Sequence, residues 1–523
     1  MNIPVAFWTE ALLEYAVRKK MVHPQDVICK RNSLLDLLKL PAPLTFEEME
    51  QCWDQLEDPF PLSLEAILPN LVDHAREMGL IASDSLEERE RFEVRLMGIV
   101  SPEPSIVAEK FLRLKKKKGI KAATDFFFQF CKDNLYIRMD RIRKNQEWQV
   151  ETDYGPMQIT INLSKPEKDP KEIAQARLAP STGYPSCLLC VQNVGFAGNA
   201  THPARQNLRV IPLELSGERW YFQFSPYVYY DQHCIVLFEK HVPMHMEKRT
   251  FQRLLDFLDM FPHYFIGSNA DLPIVGGSIL SHEHFQGGVQ SLPMASASAA
   301  SIFSCPRWPD VEISRLHWPM SVVRLRSTNR DSLVDVADHL FRSWKDFKSE
   351  ELSILNFSRN GDQWFRHNTI TPIVRRKEDG MLEMDLVLRN NAVSQVHPTG
   401  IFHPHRDLHH IKKENIGLIE VMGLAILPGR LRYELDEIKE KVLVSPQEQN
   451  SEWLEKPEIA KHRHWINDLK KRYRFPVEPQ EAEEILQREV GRKFLRVLQD
   501  SAVFKPTPEG IAAFESWIQQ SCS

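Results

Sequence analysis

The sequence GGSILSHEHFQGG, residues 276–288, sets His282, His284 and Gln286 at every second position between two pairs of glycines. Successive side chains of an extended strand point to opposite faces, so these three polar side chains would share one face of a strand. Glycine pairs permit tight turns, and they also let a phosphate approach the backbone closely. The stretch therefore predicts a strand that presents two imidazoles and an amide on one face.

Three kinds of site compete for this pattern: a metalloprotease box, a zinc clamp and a strand that presents a nucleophilic histidine to a phosphate. The metalloprotease box is HExxH, which places both histidines on one side of a helix, one turn apart. The spacing here is HExH, which would put the histidines on roughly opposite sides of a helix. The protease interpretation is therefore excluded. The other two stay open, as do polar strand residues that are simply satisfied by hydrogen bonds near a surface.

A histidine nucleophile would suit phosphoryl or nucleotidyl transfer through a covalent adduct. Neutral imidazole is a good nucleophile near neutral pH, because its free pKa is about 6.5. The second ring nitrogen can donate to a backbone carbonyl, which fixes the tautomer. Gln286 would offer an amide N–H to a phosphoryl oxygen that gains charge in the transition state. Such a site needs no separate general base.

The composition is that of an ordinary globular protein. The chain has 523 residues, of which 42% are hydrophobic and 26% charged, and its formal net charge is -5. The length suffices for roughly two to four domains, and the charge balance does not favour nucleic acid as a partner. No tract has the ~20 predominantly apolar residues of a membrane span, and the first residues lack the order of a signal peptide. We expect neither a nucleic-acid nor a membrane partner.

Eight cysteines in a chain of this length do not form a disulfide scaffold. Six are scattered, whereas Cys187 and Cys190 form a C-x-x-C pair. Because no export signal is visible, we expect a cytoplasmic protein with reduced thiols. The pair then favours a metal or redox role, and the alternative is that both are small buried hydrophobic residues.

The order of sequence patterns predicts an α+β protein in four parts. Residues 1–150 are charge-rich with helical periodicity, 151–318 hold the C-x-x-C pair and the histidine motif, 319–432 form a second α+β half, and 433–523 are a helical tail. Alternating and β-branched runs predict strands, whereas three- and four-residue spacing predicts helices. The clearest cases are strands in QITINL (158–163) and WYFQFSPYVYYDQHCIVLFEKH (220–241), and helices in DSLVDVADHLFRSWKDF (331–347) and ENIGLIEVMGLAIL (414–427).

Five long stretches resemble the galactose-1-phosphate uridylyltransferases, and the larger bacterial class of these enzymes within the histidine-triad superfamily is the most similar. They are INLSKPEKDPKEIA (161–174), YPSCLLCVQNVGFAGNATHPARQN (184–207), SPYVYYDQHCIVLFEKHVPM (225–244), GGSILSHEHFQGG (276–288) and GIFHPHRDLHHIKKENIGLIEVMGLAILPGRL (400–431). The resemblance implies two histidine-triad-like antiparallel-sheet halves with helices, a helical N-terminal region and a helical C-terminal tail.

The family motif is His-x-His-x-Gln, and the resemblance assigns its roles to residues of this chain. It implies that His284 takes the uridylyl group and that Gln286 contacts the phosphate. The implied reaction is ping-pong. UDP-glucose leaves its UMP group on the histidine and departs as glucose 1-phosphate, and galactose 1-phosphate then takes the UMP group to give UDP-galactose.

The shorter class of the family binds zinc through a C-x-x-C pair, a downstream histidine and the first motif histidine. The matching residues here are Cys187, Cys190, His241 and His282, and His233 competes with His241 as the third ligand. Two thiolates and two imidazoles suit tetrahedral zinc. A zinc ion held this way would be structural, because four protein ligands leave no open position for substrate.

The resemblance also implies substrate contacts and a homodimer. The candidate contacts are Asn269, Gly277, Ser278 and Arg205; a guanidinium suits bidentate phosphate binding, although Arg205 could equally be a solvated loop residue. A second histidine group has open roles, in a loop or near the active site of a partner subunit, and comprises His397, His403, His405, His409 and His410.

Two other functions remain open on the sequence. A histidine-triad hydrolase or phosphorylase of dinucleotide polyphosphates would use the same nucleophile with water or phosphate as acceptor. Gln286 argues against the hydrolases, in which a third histidine usually occupies that position. A zinc-stabilised binding protein would use the motif only to hold metal.

Overall fold

The computed structural model describes residues 3–56, 63–164, 183–199, 201–446 and 452–523. Part of the family-like stretch at 161–174 lies outside these residues. No helix among the described residues combines the length and the apolar character that a membrane crossing requires.

The N-terminal region is helical, as its periodicity predicts. Serine and threonine caps begin several helices: Thr45 and Glu48 form a capping box, and the Ser63 and Ser85 hydroxyls accept from backbone N–H groups of the first turns. The helices are Val5–Arg18, Val27–Leu38, Phe46–Trp53, Leu64–Glu77, Leu86–Val100, Pro104–Lys118, Ile120–Asp133 and Met139–Ile142. Their apolar faces share one core with the main sheet, because the Phe127 ring lies 5.3 Å from that of Phe224.

The rest of the chain carries fifteen strands within the described residues. They are β1 (Gln146–Val150), β2 (Met157–Asn162), β3 (Ile211–Leu215), β4 (Glu218–Phe224), β5 (Cys234–Phe238), β6 (Phe265–Gly267), β7 (His284–Gly288), β8 (Ala299–Phe303), β9 (Glu312–Leu316), β10 (Val322–Ser327), β11 (Phe357–Asn360), β12 (Gln363–Arg366), β13 (Asn368–Arg376), β14 (Leu382–Asn390) and β15 (Leu424–Pro428).

Ten of these strands form one antiparallel sheet in the order β3-β4-β5-β7-β6-β13-β14-β10-β9-β8. The first half runs from β3 to β5, then through the helix Lys248–Met260, and returns as β6 and β7. The second half repeats this plan with β8 to β10, the helix Arg330–Asp346, and then β13 and β14. The α+β class is confirmed, and the two halves meet where β6 pairs with β13, with Gly267 opposite Ile373.

Local chemistry explains the first hairpin of this sheet. Leu215 pairs with Glu218, which leaves Ser216 and Gly217 as a two-residue loop. Both have positive φ values, 50° and 74°, as the turn that matches the twist of paired strands requires. The Ser216 backbone N–H and hydroxyl both donate to Asp256 of the following helix, so the turn is tied to the layer above it.

A smaller sheet joins the middle of the chain to the tail. β1 and β15 flank β2, and β15 runs parallel to it. The prediction of one helix over 414–427 is therefore wrong: a short helix, Leu418–Val421, ends before Gly423, and β15 follows. Gly423 has φ 93°, and a side chain there would meet the ring of Trp318, so the helix cannot continue through it.

The tail is helical and packs on the smaller sheet. Its helices are Leu431–Ile438, which continues as a π-helix over Lys439–Val444, then Pro457–Ala460, Arg463–Arg472, Pro479–Ser501 and Pro508–Cys522. The helix Pro479–Ser501 approaches β1 closely at Gly491, where a Cβ atom would lie 2.6 Å from a methyl carbon of Val150. The two elements share the second hydrophobic core of the protein.

Candidate active site and metal centre

The histidine motif lies inside the main sheet, between two neighbours that fix its register. β7 pairs with β5, where Gln286 is opposite Ile235, and with β6, where Gln286 is opposite Gly267. Regular strand structure begins at His284. The extended backbone begins at least one residue earlier, because the backbone carbonyl oxygen of Glu283 accepts from the backbone N–H of Phe238 at 3.0 Å.

The alternation predicted for this stretch is present. Phe285 points into the core and stacks on Trp220, with ring centroids 4.9 Å apart. Glu283 is buried and accepts from Arg253 at 2.7 Å, and Arg253 also pairs with Glu218. Burial raises the pKa of Glu283 to about 7, and Arg253 opposes that rise. Neither side chain shares the face of the two histidines.

The side chains of Cys187, Cys190, His241 and His282 come together as a group that could hold a metal ion. All four ligand atoms lie within 4.8 Å of one another. Nδ1 of His282 lies 3.2 Å and 3.4 Å from the two Sγ atoms, and Nδ1 of His241 lies 3.2 Å from Sγ of Cys190. This grouping brings together four residues that span more than ninety positions in sequence.

The donor set fits a tetrahedral site. With bonds of about 2.3 Å to sulfur and about 2.0 Å to nitrogen, tetrahedral zinc holds its ligand atoms roughly 3.3 to 3.8 Å apart. The far nitrogen of His282, Nε2, donates to the carbonyl oxygen of Phe238 at 2.7 Å. This bond leaves the lone pair of Nδ1 directed at the thiols, as a metal-ligating histidine requires.

His284 has the hydrogen bonding of a nucleophile. Its Nδ1 donates to the backbone carbonyl oxygen of His282 at 2.8 Å. Because that nitrogen carries the proton, the lone pair of the neutral ring belongs to Nε2. Burial lowers the pKa of His284 to about 4, so the ring is neutral near pH 7.

Gln286 contacts His233, which the sequence suggested only as an alternative to His241 in the metal-binding group. Nε2 of His233 lies 3.2 Å from Oε1 of Gln286. His233 is not in the metal-binding group, so its candidacy as a ligand in place of His241 was wrong. Residues 233 and 286 are brought together only by the β5–β7 pairing, which the local sequence pattern does not specify.

Asn269 lies at the same end of the sheet as His284, two residues beyond the Gly267–Gln286 pair. Its Oδ1 accepts from the backbone N–H of Leu418 at 2.9 Å. Its Nδ2 faces Gly277, where a Cβ atom would lie only 2.8 Å away. Glycine at 277 therefore leaves the space that the carboxamide of Asn269 occupies.

The other two predicted substrate contacts lie in more open surroundings. Ser278 is exposed. Arg205 is half-buried, and its guanidinium lies 5.6 Å from the ring centre of Tyr136. Among the described residues Arg205 forms no ion pair within 4.0 Å.

The second histidine group divides into separate contacts. The rings of His397 and His405 stack with centroids 4.1 Å apart, and those of His403 and His409 are 6.4 Å apart. His410 instead contacts His462, with their Nδ1 atoms 2.7 Å apart. Within the part of the chain that the structure describes, this group forms no metal site.

A cavity of about 650 Å³ lies away from the histidine motif, next to the tail. Its lining includes the carboxylates of Glu434, Asp436, Glu437 and Glu458. None of its lining residues belongs to the histidine motif, so the size of this cavity does not make it the nucleotide site.

Known proteins match the chain over nearly its whole length. Models of the N-terminal and C-terminal domains of galactose-1-phosphate uridyl transferase match residues 46–243 and 257–462. The galactose-1-phosphate uridylyltransferase of Caldanaerobacter subterraneus subsp. tengcongensis is 50% identical, covering 98% of this chain and 97% of its own. That of Bacillus subtilis is 46% identical, covering 98% and 96%.

A solved structure, yeast Ap4A phosphorylase Apa2, covers 64% of this chain and 89% of its own with 10% identity and a TM-score of 0.31, which is too low to bear on the fold. The two domain matches and the two bacterial relatives show that the chain belongs to the galactose-1-phosphate uridylyltransferase family.

Proposed function

We propose that this chain transfers a uridylyl group between UDP-glucose and galactose 1-phosphate through a covalent adduct on His284. One observation carries the proposal: Nδ1 of His284 donates to the carbonyl oxygen of His282, so Nε2 offers its lone pair without needing a base. Family membership supports the reaction and its place in galactose metabolism.

Each half-reaction exchanges one bond at the α-phosphorus. Nε2 of His284 forms a P–N bond with UDP-glucose while the bond to the bridging oxygen breaks, and glucose 1-phosphate leaves with the electron pair. An oxygen of the phosphate of galactose 1-phosphate then attacks the same phosphorus, and the P–N bond breaks to release UDP-galactose. An amide N–H of Gln286 stabilises the charge on the phosphoryl oxygens in both transition states.

We infer that the metal-binding group holds structural zinc. Two thiols and two imidazoles are the donors that zinc prefers, and the ligand atoms lie close enough for one ion. A bound zinc ion would hold His282 in place, and through its carbonyl oxygen His282 orients His284.

Substrate contacts are proposed for four residues. Asn269 and Gly277 adjoin each other at the end of the sheet that carries His284, which supports a joint role at the phosphates. Ser278 follows them directly, and the guanidinium of Arg205 is a suitable phosphate ligand.

We also propose that the protein is a cytoplasmic homodimer. All eight cysteines are free thiols, which supports a reducing compartment. The resemblance to the larger bacterial class supports the dimer, and light scattering on the purified chain tests it. A monomeric mass at assay concentration would exclude the dimer without touching the reaction.

The test is labelling with UDP-glucose that carries radioactive uridine. Unmodified protein should retain label after denaturation, and addition of galactose 1-phosphate should move it to UDP-galactose. His284→Asn should retain none, whereas His317→Asn should label normally, because that exposed ring bonds the carbonyl oxygen of Asp153 and stacks on Tyr154, outside the histidine motif. Label lost as free UMP would indicate a hydrolase, and absence of both label and exchange in folded protein would favour a binding protein.

A further inference from the structure

A buried histidine outside the family motif, His233, contacts the carboxamide of Gln286. The distance from Nε2 of His233 to Oε1 of Gln286 is 3.2 Å. His233 directly precedes β5 and shares the face of Ile235, the residue opposite Gln286. It is therefore a diagonal cross-strand neighbour of Gln286, within reach of a long side chain.

The proton positions follow from the chemistry of the two groups. A carboxamide oxygen can only accept, so Nε2 of His233 must carry the hydrogen. In the neutral ring Nδ1 then has no proton, and it is buried without a partner among the described residues. Because His233 bonds the carboxamide oxygen of Gln286, only the NH₂ group of that carboxamide is available to a phosphoryl oxygen. The reversed carboxamide would present an oxygen to the phosphate and repel it.

The ring of His233 is held tightly enough to impose this choice. It contacts the rings of Tyr229 and Tyr230, whose centroids are 5.4 Å and 4.5 Å away. Its backbone carbonyl accepts from Ser225 at 2.8 Å, and its backbone N–H donates to Tyr230 at 3.1 Å. The side chain is 2% exposed. Two rings and two backbone bonds thus leave the imidazole little freedom to turn.

We propose that His233 is a positioning residue that fixes the Gln286 carboxamide with its N–H groups toward the phosphoryl group on His284. The proposal rests on the proposed function, because it requires Gln286 to act on that phosphoryl group. His233 itself needs no contact with substrate. It acts through Gln286 by excluding the orientation that would oppose the reaction.

Two replacements of His233 separate its hydrogen bond from its shape. His233→Phe keeps a ring against the two tyrosines and removes the donor. His233→Gln loses the ring and restores an N–H donor at similar reach. We expect His233→Phe to slow formation of the uridylyl adduct about 10- to 100-fold with little change in KM for UDP-glucose, as for a contact made in the transition state. His233→Gln should recover most of that loss.

A matched control is His263→Phe. His263 also has a single side-chain partner, since its Nε2 lies 3.2 Å from the hydroxyl of Thr124, and it also lies against a tyrosine ring, that of Tyr264. We expect this variant to form the adduct at the unmodified rate. The melting temperature of every variant shows whether a slow rate comes from unfolding.

A double-mutant cycle with Gln286→Ala decides the question. If His233 acts through Gln286, then adding His233→Phe to Gln286→Ala costs nothing further. Losses that multiply in the double variant, or a His233→Phe protein with the unmodified rate, would overturn the proposal. Failure of the unmodified protein to form any adduct would instead reject the proposed function. A Gln286→Ala protein of normal rate would reject both roles while leaving His284 as the nucleophile.

Discussion

The carbonyl oxygen of His282 accepts the Nδ1 proton of His284 at 2.8 Å, while the imidazole of His282 faces the two thiols. One residue therefore contacts two sites, with its side chain at the metal-binding group and its backbone carbonyl at the proposed nucleophile. Because only two residues of extended chain separate the side chains, we expect a displacement of His282 at the metal-binding group to change the orientation of the His284 ring.

Loss of the metal should slow the chemistry as well as destabilise the fold. If the metal-binding group holds the zinc proposed for it, Cys190→Ser should lose that zinc, lower the melting temperature and reduce the rate of adduct formation on His284 by about 10-fold or more, as for a misplaced catalytic group. Metal content by mass spectrometry and single-turnover labelling measure the two effects. Cys29→Ser, at an exposed cysteine, is the control. A zinc-free variant with the normal rate would show that His284 is oriented independently.

The ion pairs behind the motif should contribute strongly to stability. Arg253 is buried and pairs with Glu218 and Glu283. Glu218 also pairs with Arg249, so Arg253→Met leaves the buried Glu283 carboxylate without a cation and should cost about 3–5 kcal/mol of unfolding free energy. Arg219→Met, which removes an exposed pair with Glu239, should cost less than about 1 kcal/mol. Urea denaturation measures both. Similar losses in the two variants would contradict the burial argument.

Substitution of the two glycines Gly277 and Gly287, which flank the histidine motif, should affect activity and stability differently. At Gly277 a methyl group would lie 2.8 Å from a side-chain atom, Nδ2 of Asn269, so Gly277→Ala should displace that carboxamide, reduce activity and cost less stability than Gly287→Ala. At Gly287 it overlaps the carbonyl oxygen of Phe265 in β6, so Gly287→Ala should cost more than about 2 kcal/mol. Thermal melts and exchange assays on both variants distinguish them. Equal melting temperatures would refute the contrast.

Stability should fall in acid partly because of His410. Burial, together with His462 and the cations Lys493, Arg430 and Lys461, lowers the pKa of His410 to about 2. Below pH ~6.5 the imidazole of residue 410 is protonated in the unfolded chain but stays neutral in the folded chain. The free energy of unfolding therefore falls as the pH drops, by about 1.4 kcal/mol at pH ~5.5. His410→Gln should flatten this slope in urea titrations.

The exposed His464 provides the matched control for that titration. His464→Gln removes a ring that water solvates in both the folded and the unfolded chain, so the slope should stay as it is. If His410→Gln left the slope unchanged as well, the acid sensitivity would have to come from other buried groups.

Sequence periodicity predicted those elements whose pattern is long or strongly alternating. The strand over residues 158–163, the two strands within 220–241 and the helix over 331–347 are all present. Periodicity wrongly predicted a helix where β15 lies, because a short apolar run is compatible with both a helix and a strand. Pairing with β2, more than 250 residues earlier, decides the outcome. The four-part division at residues 150, 318 and 432 stays a prediction.

The site was predictable only where its residues are neighbours in sequence or match a family motif. The two-residue spacing of His282, His284 and Gln286 predicted that they share one face of a strand, and the C-x-x-C spacing singled out Cys187 and Cys190. The position of His233 against Gln286 depends on which residue of β5 lies opposite β7. The merging of both halves into one sheet depends likewise on the β6–β13 pairing. The register of neither strand pair can be predicted from the local amino-acid composition.

The stacking of Phe285 on Trp220 favours one register of β7, and with it the face on which His284 and Gln286 lie. If β7 slipped by one residue against its neighbours, every side chain would change face. Phe285 would then point at the phosphate, and His284 would be forced into an aromatic core. Such a molecule would be compact and inert. The aromatic pair disfavours that register in the folded chain, and so holds His284 and Gln286 on the face where we propose that they act.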